Sequence, residues 1–89
     1  MEKFQLYIDG EFCDAEGGVS FDSCDPSTDE PWAVMPAATM GDTDRAVKAA
    51  WEAFCEGEWP SLTATQRGKY LSKLADLVVR DALIMAELE

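Results

Sequence analysis

The side chains best suited to covalent chemistry are three cysteines, Cys13, Cys24 and Cys55. A thiolate nucleophile needs a base or positive surroundings. Cys55 stands among Glu52, Glu56 and Glu58, Cys24 adjoins Asp25 and follows Asp22, and Cys13 lies between Glu11 and Asp14. The sequence has no histidine, so the usual base for a cysteine is missing, and all three thiols read as inert packing or surface groups. Without histidine or a Cys-x-x-Cys pair, a zinc site of ordinary composition is excluded. Carboxylate pairs such as Asp29-Glu30 and Glu87 with Glu89 follow from an acidic composition and read as solvated faces rather than acid–base machinery. Phosphate binding needs a glycine-rich turn that opens a helix. Gly17-Gly18 precedes a strand pattern and Gly41 stands alone, so no cofactor fingerprint is present. Trp51, Phe54 and Trp59 fall at helical spacing and read as a packing cluster.

The elements that would position these groups are strands followed by helices. Phe4, Leu6 and Ile8 alternate with Gln5 and Tyr7, and Asp9-Gly10 then joins them to Glu11-Phe12-Cys13. Asp-Gly between strand formers predicts a hairpin, because both central residues of a type I′ turn have positive φ. Val19 to Cys24 is the next extended run, Asp25 to Pro31 a turn-rich stretch, and Trp32 to Met35 a further strand closed by Pro36. Residues 1–36 are thus mostly β. Thr39 with Asp42 resembles a capping box and opens a helix over 39–58, stopped by Gly57 and Trp59-Pro60. Thr63 with Gln66 opens a second helix over 63–89, with Leu71, Leu74, Ala75, Val78, Ala82 and Met85 as its apolar stripe. The last residues, Ile84 to Glu89, carry no glycine, proline or basic turn. A helix ending there by design would show a stop signal, so the sequence reads as truncated.

The chain has 89 residues, 47% of them hydrophobic, enough for a small packed core and too few for a large one. Eighteen acidic residues against seven basic ones give a net charge of −11. That charge disfavours nucleic acid and anionic membrane surfaces as partners. Residues 1–5 lack a basic stretch followed by an apolar one, so no signal peptide is expected, and no apolar run is long enough to span a bilayer. Unpaired cysteines fit a reducing compartment, and the expected location is cytoplasmic.

The order of these features is more specific than any one of them. Leu6-Tyr7-Ile8-Asp9-Gly10-Glu11-Phe12 resembles the opening hairpin of the NAD(P)-dependent aldehyde dehydrogenase superfamily. Phe21-Asp22-Ser23-Cys24-Asp25-Pro26-Ser27-Thr28-Asp29-Glu30 is similar to that family's F-x-x-x-N-P-A-T-G-E segment, with Asp25, Ser27 and Asp29 where Asn, Ala and Gly are commoner. Val34 to Thr39, Asp44 to Ala50, Ala53-Phe54, Trp59, Arg67 to Leu71 and Leu74 to Leu77 continue the series in order, so the resemblance covers residues 1–89 almost throughout.

The resemblance implies the N-terminal part of an α/β enzyme with a Rossmann-like cofactor domain, here short antiparallel strands and hairpins followed by two helices. Members are several times longer, oxidise aldehydes to carboxylic acids with NAD or NADP, and form homo-oligomers. Their nucleophilic cysteine, glutamate, asparagine and cofactor-binding lysine lie beyond the matched region. None of the three cysteines here aligns with the nucleophile, so no catalytic or cofactor-binding residue is assigned and the segment alone is expected to be inactive. Some members hold a structural potassium or sodium ion near this region, and the matching ligand positions are Ser23 and Cys24. Backbone carbonyls suit such a hard cation, but the remaining ligands would come from downstream sequence. Outside that parent, the segment is expected to expose apolar faces and to self-associate. The alternative is a small acidic interaction module that binds a basic partner through a helical hairpin.

Overall fold

A computed structural model describes residues 1–89. The chain divides into two compact units, Met1–Cys55 and Glu56–Glu89. In the first, strand β2 (Leu6–Ile8) pairs antiparallel with β3 (Glu11–Cys13), setting Tyr7 opposite Phe12. Asp9 and Gly10 have φ of 53° and 80°, the double positive φ that the Asp-Gly signal predicts. The facing rings of Tyr7 and Phe12 lie 4.9 Å apart.

The second sheet has the order β1-β5-β4. Strand β4 (Ser20–Cys24) runs antiparallel to β5 (Pro31–Pro36), with a register shift between Ser23 and Cys24. Strand β1 (Glu2–Lys3) lies along the other side of β5 in parallel, Glu2 opposite Ala33 and Lys3 opposite Val34. The sequence pattern gave no sign of this pairing. The alternation from Phe4 to Ile8 reads as one strand, yet its start belongs to the other sheet. There Phe4 N–H donates to Val34 C=O at 2.9 Å and the Phe4 ring meets Trp32 edge-on at 6.0 Å. The strand order otherwise follows the expected pattern, with strands first and helices after.

Helix α1 (Met40–Glu56) starts after Thr39 and ends just before Gly57. Thr39 N–H donates to Asp42 Oδ2 at 2.9 Å, and Asp42 N–H donates to Thr39 Oγ1 at 3.1 Å, a reciprocal box built with aspartate.

The second unit begins with a 3-10 turn (Trp59–Ser61) and continues into α2 (Ala64–Arg80). Thr63 and Gln66 form the full capping box, 3.2 Å from Gln66 N to Thr63 Oγ1 and 2.8 Å from Thr63 N to Gln66 Oε1. The helix expected over 63–89 is in fact two. Asp81, at φ −100° and ψ 15°, separates α2 from α3 (Ala82–Leu88). Its carboxylate takes both Arg80 Nε and Nη2 at 2.9 Å. Aspartate is a poor helix former because its side chain competes for nearby polar groups. Backbone bonds from Asp81 to Leu77 and from Met85 to Asp81 bridge the break, so α3 follows α2 with no intervening loop.

Two glycines separate conformational need from habit. Gly10, at φ +80°, occupies backbone that costs other residues about 1 kcal/mol or more. Gly68 lies inside α2, and a Cβ there would meet nothing within 4 Å. Gly68→Ala is expected to stabilise α2 by about 0.5–1 kcal/mol and Gly10→Ala to destabilise the hairpin by a similar amount. Thermal melts followed by circular dichroism check both signs. Shifts of the same sign would contradict the assignment.

The buried apolar set is very small: Ala15, 7% exposed, and Ala33, fully covered at the centre of β5. Trp51 and Phe54, expected to pack, stay largely exposed although their rings lie 6.0 Å apart. Helical spacing placed them on one face, but spacing does not supply the surface that would cover it. Trp59 instead meets Tyr70 at 5.9 Å. No helix is long and apolar enough to cross a membrane.

Candidate functional site

The most constrained polar group in the molecule is the Asp42 carboxylate, 1% exposed. It accepts from Thr39 N–H at 2.9 Å, Thr39 Oγ1 at 3.1 Å and Glu16 N–H at 3.0 and 3.3 Å, and it also binds the Arg45 guanidinium. Local sequence brings Thr39 and Arg45 to it, each three residues away along the chain. Glu16 comes from the turn after β3. Gly41 leaves room for the Glu16 side chain: a Cβ at residue 41 would lie 2.6 Å from Glu16 Oε2, which would have to swing away.

Asp42's carboxyl is held below its ordinary value of 3.8, chiefly by the Thr39 backbone bond, and further by Glu16, the Thr39 hydroxyl and Arg45, against the opposing effect of burial. A carboxylate saturated with donors and held ionised is a poor general base near neutrality. Its chemistry is structural: it closes the start of α1 and fastens the Glu16 turn to it. The sequence showed the Thr39–Asp42 half of this site but not Glu16, because the two are 26 positions apart.

The helix starts bear on anion binding. The first turn of α1 already carries a buried carboxylate, and the first turn of α2 carries the Thr63–Gln66 box. At each start one first-turn N–H, that of Asp42 or of Gln66, is bonded to the capping threonine.

Ser23 and Cys24 lie at the end of β4, half-buried and exposed respectively, at the register shift opposite Ala33 and Pro31. A register shift leaves backbone groups outside the regular ladder. Just beyond, Asp25 Oδ1 accepts from Ser27 N–H at 2.8 Å and Ser27 Oγ at 2.7 Å, and Asp25 N–H donates to Glu30 C=O at 2.8 Å. The Ser27 hydroxyl and backbone bonds lower the Asp25 carboxyl below its ordinary value. The turn thus orders the strand end with its own residues. No group of three or more His, Cys, Asp or Glu side chains gathers here or elsewhere, so a cation at Ser23 and Cys24 would rely on main-chain oxygens.

The three thiols are free, Cys13 half-buried and the others exposed, and none lies within a built pair. Asp29, at φ 58°, and Glu30 sit in the β4–β5 turn, while Glu87 and Glu89 stay exposed near the end of α3. Several open hollows remain, two of them with largely apolar walls. One, of about 240 Å³, is walled by Leu6, Ile8, Ala38 and Val47. The other, of about 310 Å³, is walled by Leu62, Gln66, Lys69, Tyr70 and Lys73. Neither combines a nucleophile with a base, so neither is an active centre in the usual sense.

Comparison with known proteins supplies what the geometry does not. Residues 12–89 match the family model described as "Aldehyde dehydrogenase family". The chain is 53% identical, over its whole length, to the (Z)-2-((N-methylformamido)methylene)-5-hydroxybutyrolactone dehydrogenase of Acinetobacter baylyi, and spans 18% of that protein. Among solved structures, an aldehyde dehydrogenase from Bacillus cereus matches with TM-score 0.90 and 39% identity, over 98% of this chain and 18% of that one. The NAD+ complex of the Bacillus cereus enzyme matches with TM-score 0.83 and 40% identity, over 90% of this chain and 16% of that one. The chain therefore spans less than a fifth of the length of the relatives it matches.

Proposed function

Since the chain belongs to the aldehyde dehydrogenase family, we propose that it is a structural part of an enzyme that oxidises aldehydes to carboxylic acids with NAD or NADP. The observation that carries the reading is the match of nearly the whole chain, in fold as well as sequence, to a small share of complete enzymes. An NAD+ complex among the structural matches supports the cofactor class. The segment supplies scaffold, while the attacking cysteine, the glutamate that helps water release the acid, and the nucleotide contacts come from the remaining polypeptide. The acidic interaction module had only charge and size in its favour, and the family match accounts for the ordered blocks that it left unexplained.

The Ser23 and Cys24 carbonyls belong to the same proposal as two ligands of a potassium or sodium ion. A hard cation needs a shell of several oxygen ligands, about six to eight in the case of calcium, so two carbonyls make only a partial site. The complete set would require the remaining polypeptide.

A chimera tests this. Residues 1–89 replace the matching 18% of the Bacillus cereus aldehyde dehydrogenase, an enzyme also seen as an NAD+ complex, and NADH production is followed with an aldehyde substrate. The chimera is expected to keep activity within about tenfold of the parent, a loss of at most about 1.4 kcal/mol in transition-state stabilisation. The 89-residue chain alone gives none. Replacing potassium and sodium by choline is expected to lower the chimera's melting temperature and leave that of the chain alone unchanged. A folded, inactive chimera would refute the structural reading; an ion-indifferent chimera would refute the cation assignment.

A further inference from the structure

The hollow walled by Leu62, Gln66, Lys69, Tyr70 and Lys73 stands out by its charge. The chain has 18 acidic side chains against 7 basic ones, yet two lysines and no carboxylate line this hollow. Lys69 and Lys73 are four residues apart on α2, a spacing at which like charges oppose helix formation. The ion pairs of the chain join Arg45 to Asp42, Lys48 to Glu52 and Arg80 to Asp81, so neither of these lysines is paired. Two ammonium groups kept together without a counter-charge make a local positive site in an otherwise negative surface.

The walls beside them are apolar and held in place. Leu62 N–H donates to Trp59 C=O at 3.2 Å, and Leu62 C=O accepts from the Arg67 guanidinium, so Leu62 is fastened at the start of α2. The Tyr70 ring lies 5.9 Å from that of Trp59. Gln66 uses its Oε1 to accept from Thr63 N–H at 2.8 Å, which leaves its amide nitrogen as a further donor at the hollow. The volume, about 310 Å³, is at the small end of ligand sites. Inorganic phosphate would meet the charges and leave the leucine and the tyrosine ring wet. A neutral apolar molecule would cover those walls and leave the two ammonium groups repelling each other.

We propose that this hollow binds a small monocarboxylate with an aromatic or short aliphatic body, the carboxylate at Lys69 and Lys73 and the body against Tyr70 and Leu62. Charge-assisted bonds fix the acid group, and the ring and the leucine bury the body. The proposal stands on the residues of this chain and does not depend on the oxidation proposed above.

Benzoate is the probe, titrated at neutral pH into the 89-residue chain and followed through the backbone amide resonances. Shifts centred on residues 62–73 are expected, with a dissociation constant on the order of 1 mM, as befits a small ligand at an open site. Benzyl alcohol has a similar shape without the charge, and inorganic phosphate has charge without the apolar body. Each is expected to bind at least about tenfold more weakly. Lys69→Gln combined with Lys73→Gln is expected to weaken benzoate binding by about tenfold or more, and Tyr70→Ser by about threefold or more. Lys3→Gln combined with Lys48→Gln makes the same change in net charge elsewhere and is expected to leave binding within about twofold, because salt screens distant charges. Circular dichroism of each variant establishes that α2 is still formed. No shifts at about 20 mM benzoate, well above the expected constant, overturn the proposal. So do shifts spread evenly over the chain, phosphate or benzyl alcohol binding as tightly as benzoate, or equal weakening by the Lys3 and Lys48 substitutions.

Discussion

Asp42→Ala is expected to lower the thermal midpoint of the helical signal by roughly 5–10 °C, on the scale by which lost polar networks shift small domains. The carboxylate is the shared acceptor for the Thr39 and Glu16 N–H groups, the Thr39 hydroxyl and Arg45. Truncation leaves two part-buried N–H donors without a partner and frees the turn after β3 from the start of α1. Unpaired donors cost more than an average bond contributes. Asp42→Asn should lose nearly as much, because an amide offers one acceptor oxygen and turns a competing donor towards the same N–H groups. The pH dependence has a definite sign. The folded-state value is lowered, so this contribution is complete above the ordinary value of 3.8 and fades as pH falls below it. Asp25, held by Ser27, and Asp81, held by Arg80, act in the same direction. Melts between neutral pH and the acid range should therefore converge for wild type and Asp42→Asn as pH drops. A midpoint within about 2 °C of wild type at neutral pH, well inside the shift such a network implies, would show that the network does not hold the helix start.

Ala33→Leu is the second large effect. Ala33 is fully covered in the middle of β5, with Glu2 of β1 on one side and Ser23 of β4 on the other. Three more carbon atoms have nowhere to go without moving a neighbour, and overpacking of this kind costs about 1–3 kcal/mol. For a chain of this size that corresponds to a drop in melting temperature of about 4–8 °C for each kcal/mol. Loss of β1 from the sheet would be the structural consequence, visible as faster amide exchange at Phe4, whose N–H is bonded to Val34. If Ala33→Leu melts with wild type and exchange at Phe4 is unchanged, the site is looser than its coverage implies.

Features set by neighbouring residues were legible in the sequence. The Asp9-Gly10 hairpin, the Thr63–Gln66 box and the Thr39–Asp42 start all depend on residues within three or four positions of one another. Features that depend on distant partners were not. Strand β1 has two residues and pairs with a strand 31 positions further on, too short for periodicity to register. Half of Asp42's role depends on Glu16, which carries no motif. The break at Asp81 lacks glycine and proline, the usual stop signals, and lies at an aspartate paired with its neighbouring arginine. Trp51 and Phe54 show the converse: helical periodicity puts them on one face, but it does not supply the surface that would cover them. The candidate cation ligands were legible only through resemblance, since main-chain oxygens leave no signature in residue type.

The turn between β4 and β5 has a consequence for engineering. It is closed at its base by Asp25 N–H on Glu30 C=O and stiffened within by the Asp25–Ser27 bonds, while its residues from Pro26 to Glu30 are exposed. The entropy of closing a flexible loop rises only with the logarithm of its length, so each doubling costs about 0.6 kcal/mol. A spectroscopic label or peptide epitope inserted between Ser27 and Thr28 therefore lengthens a connection without entering either sheet. That makes this turn a low-cost place to mark the segment.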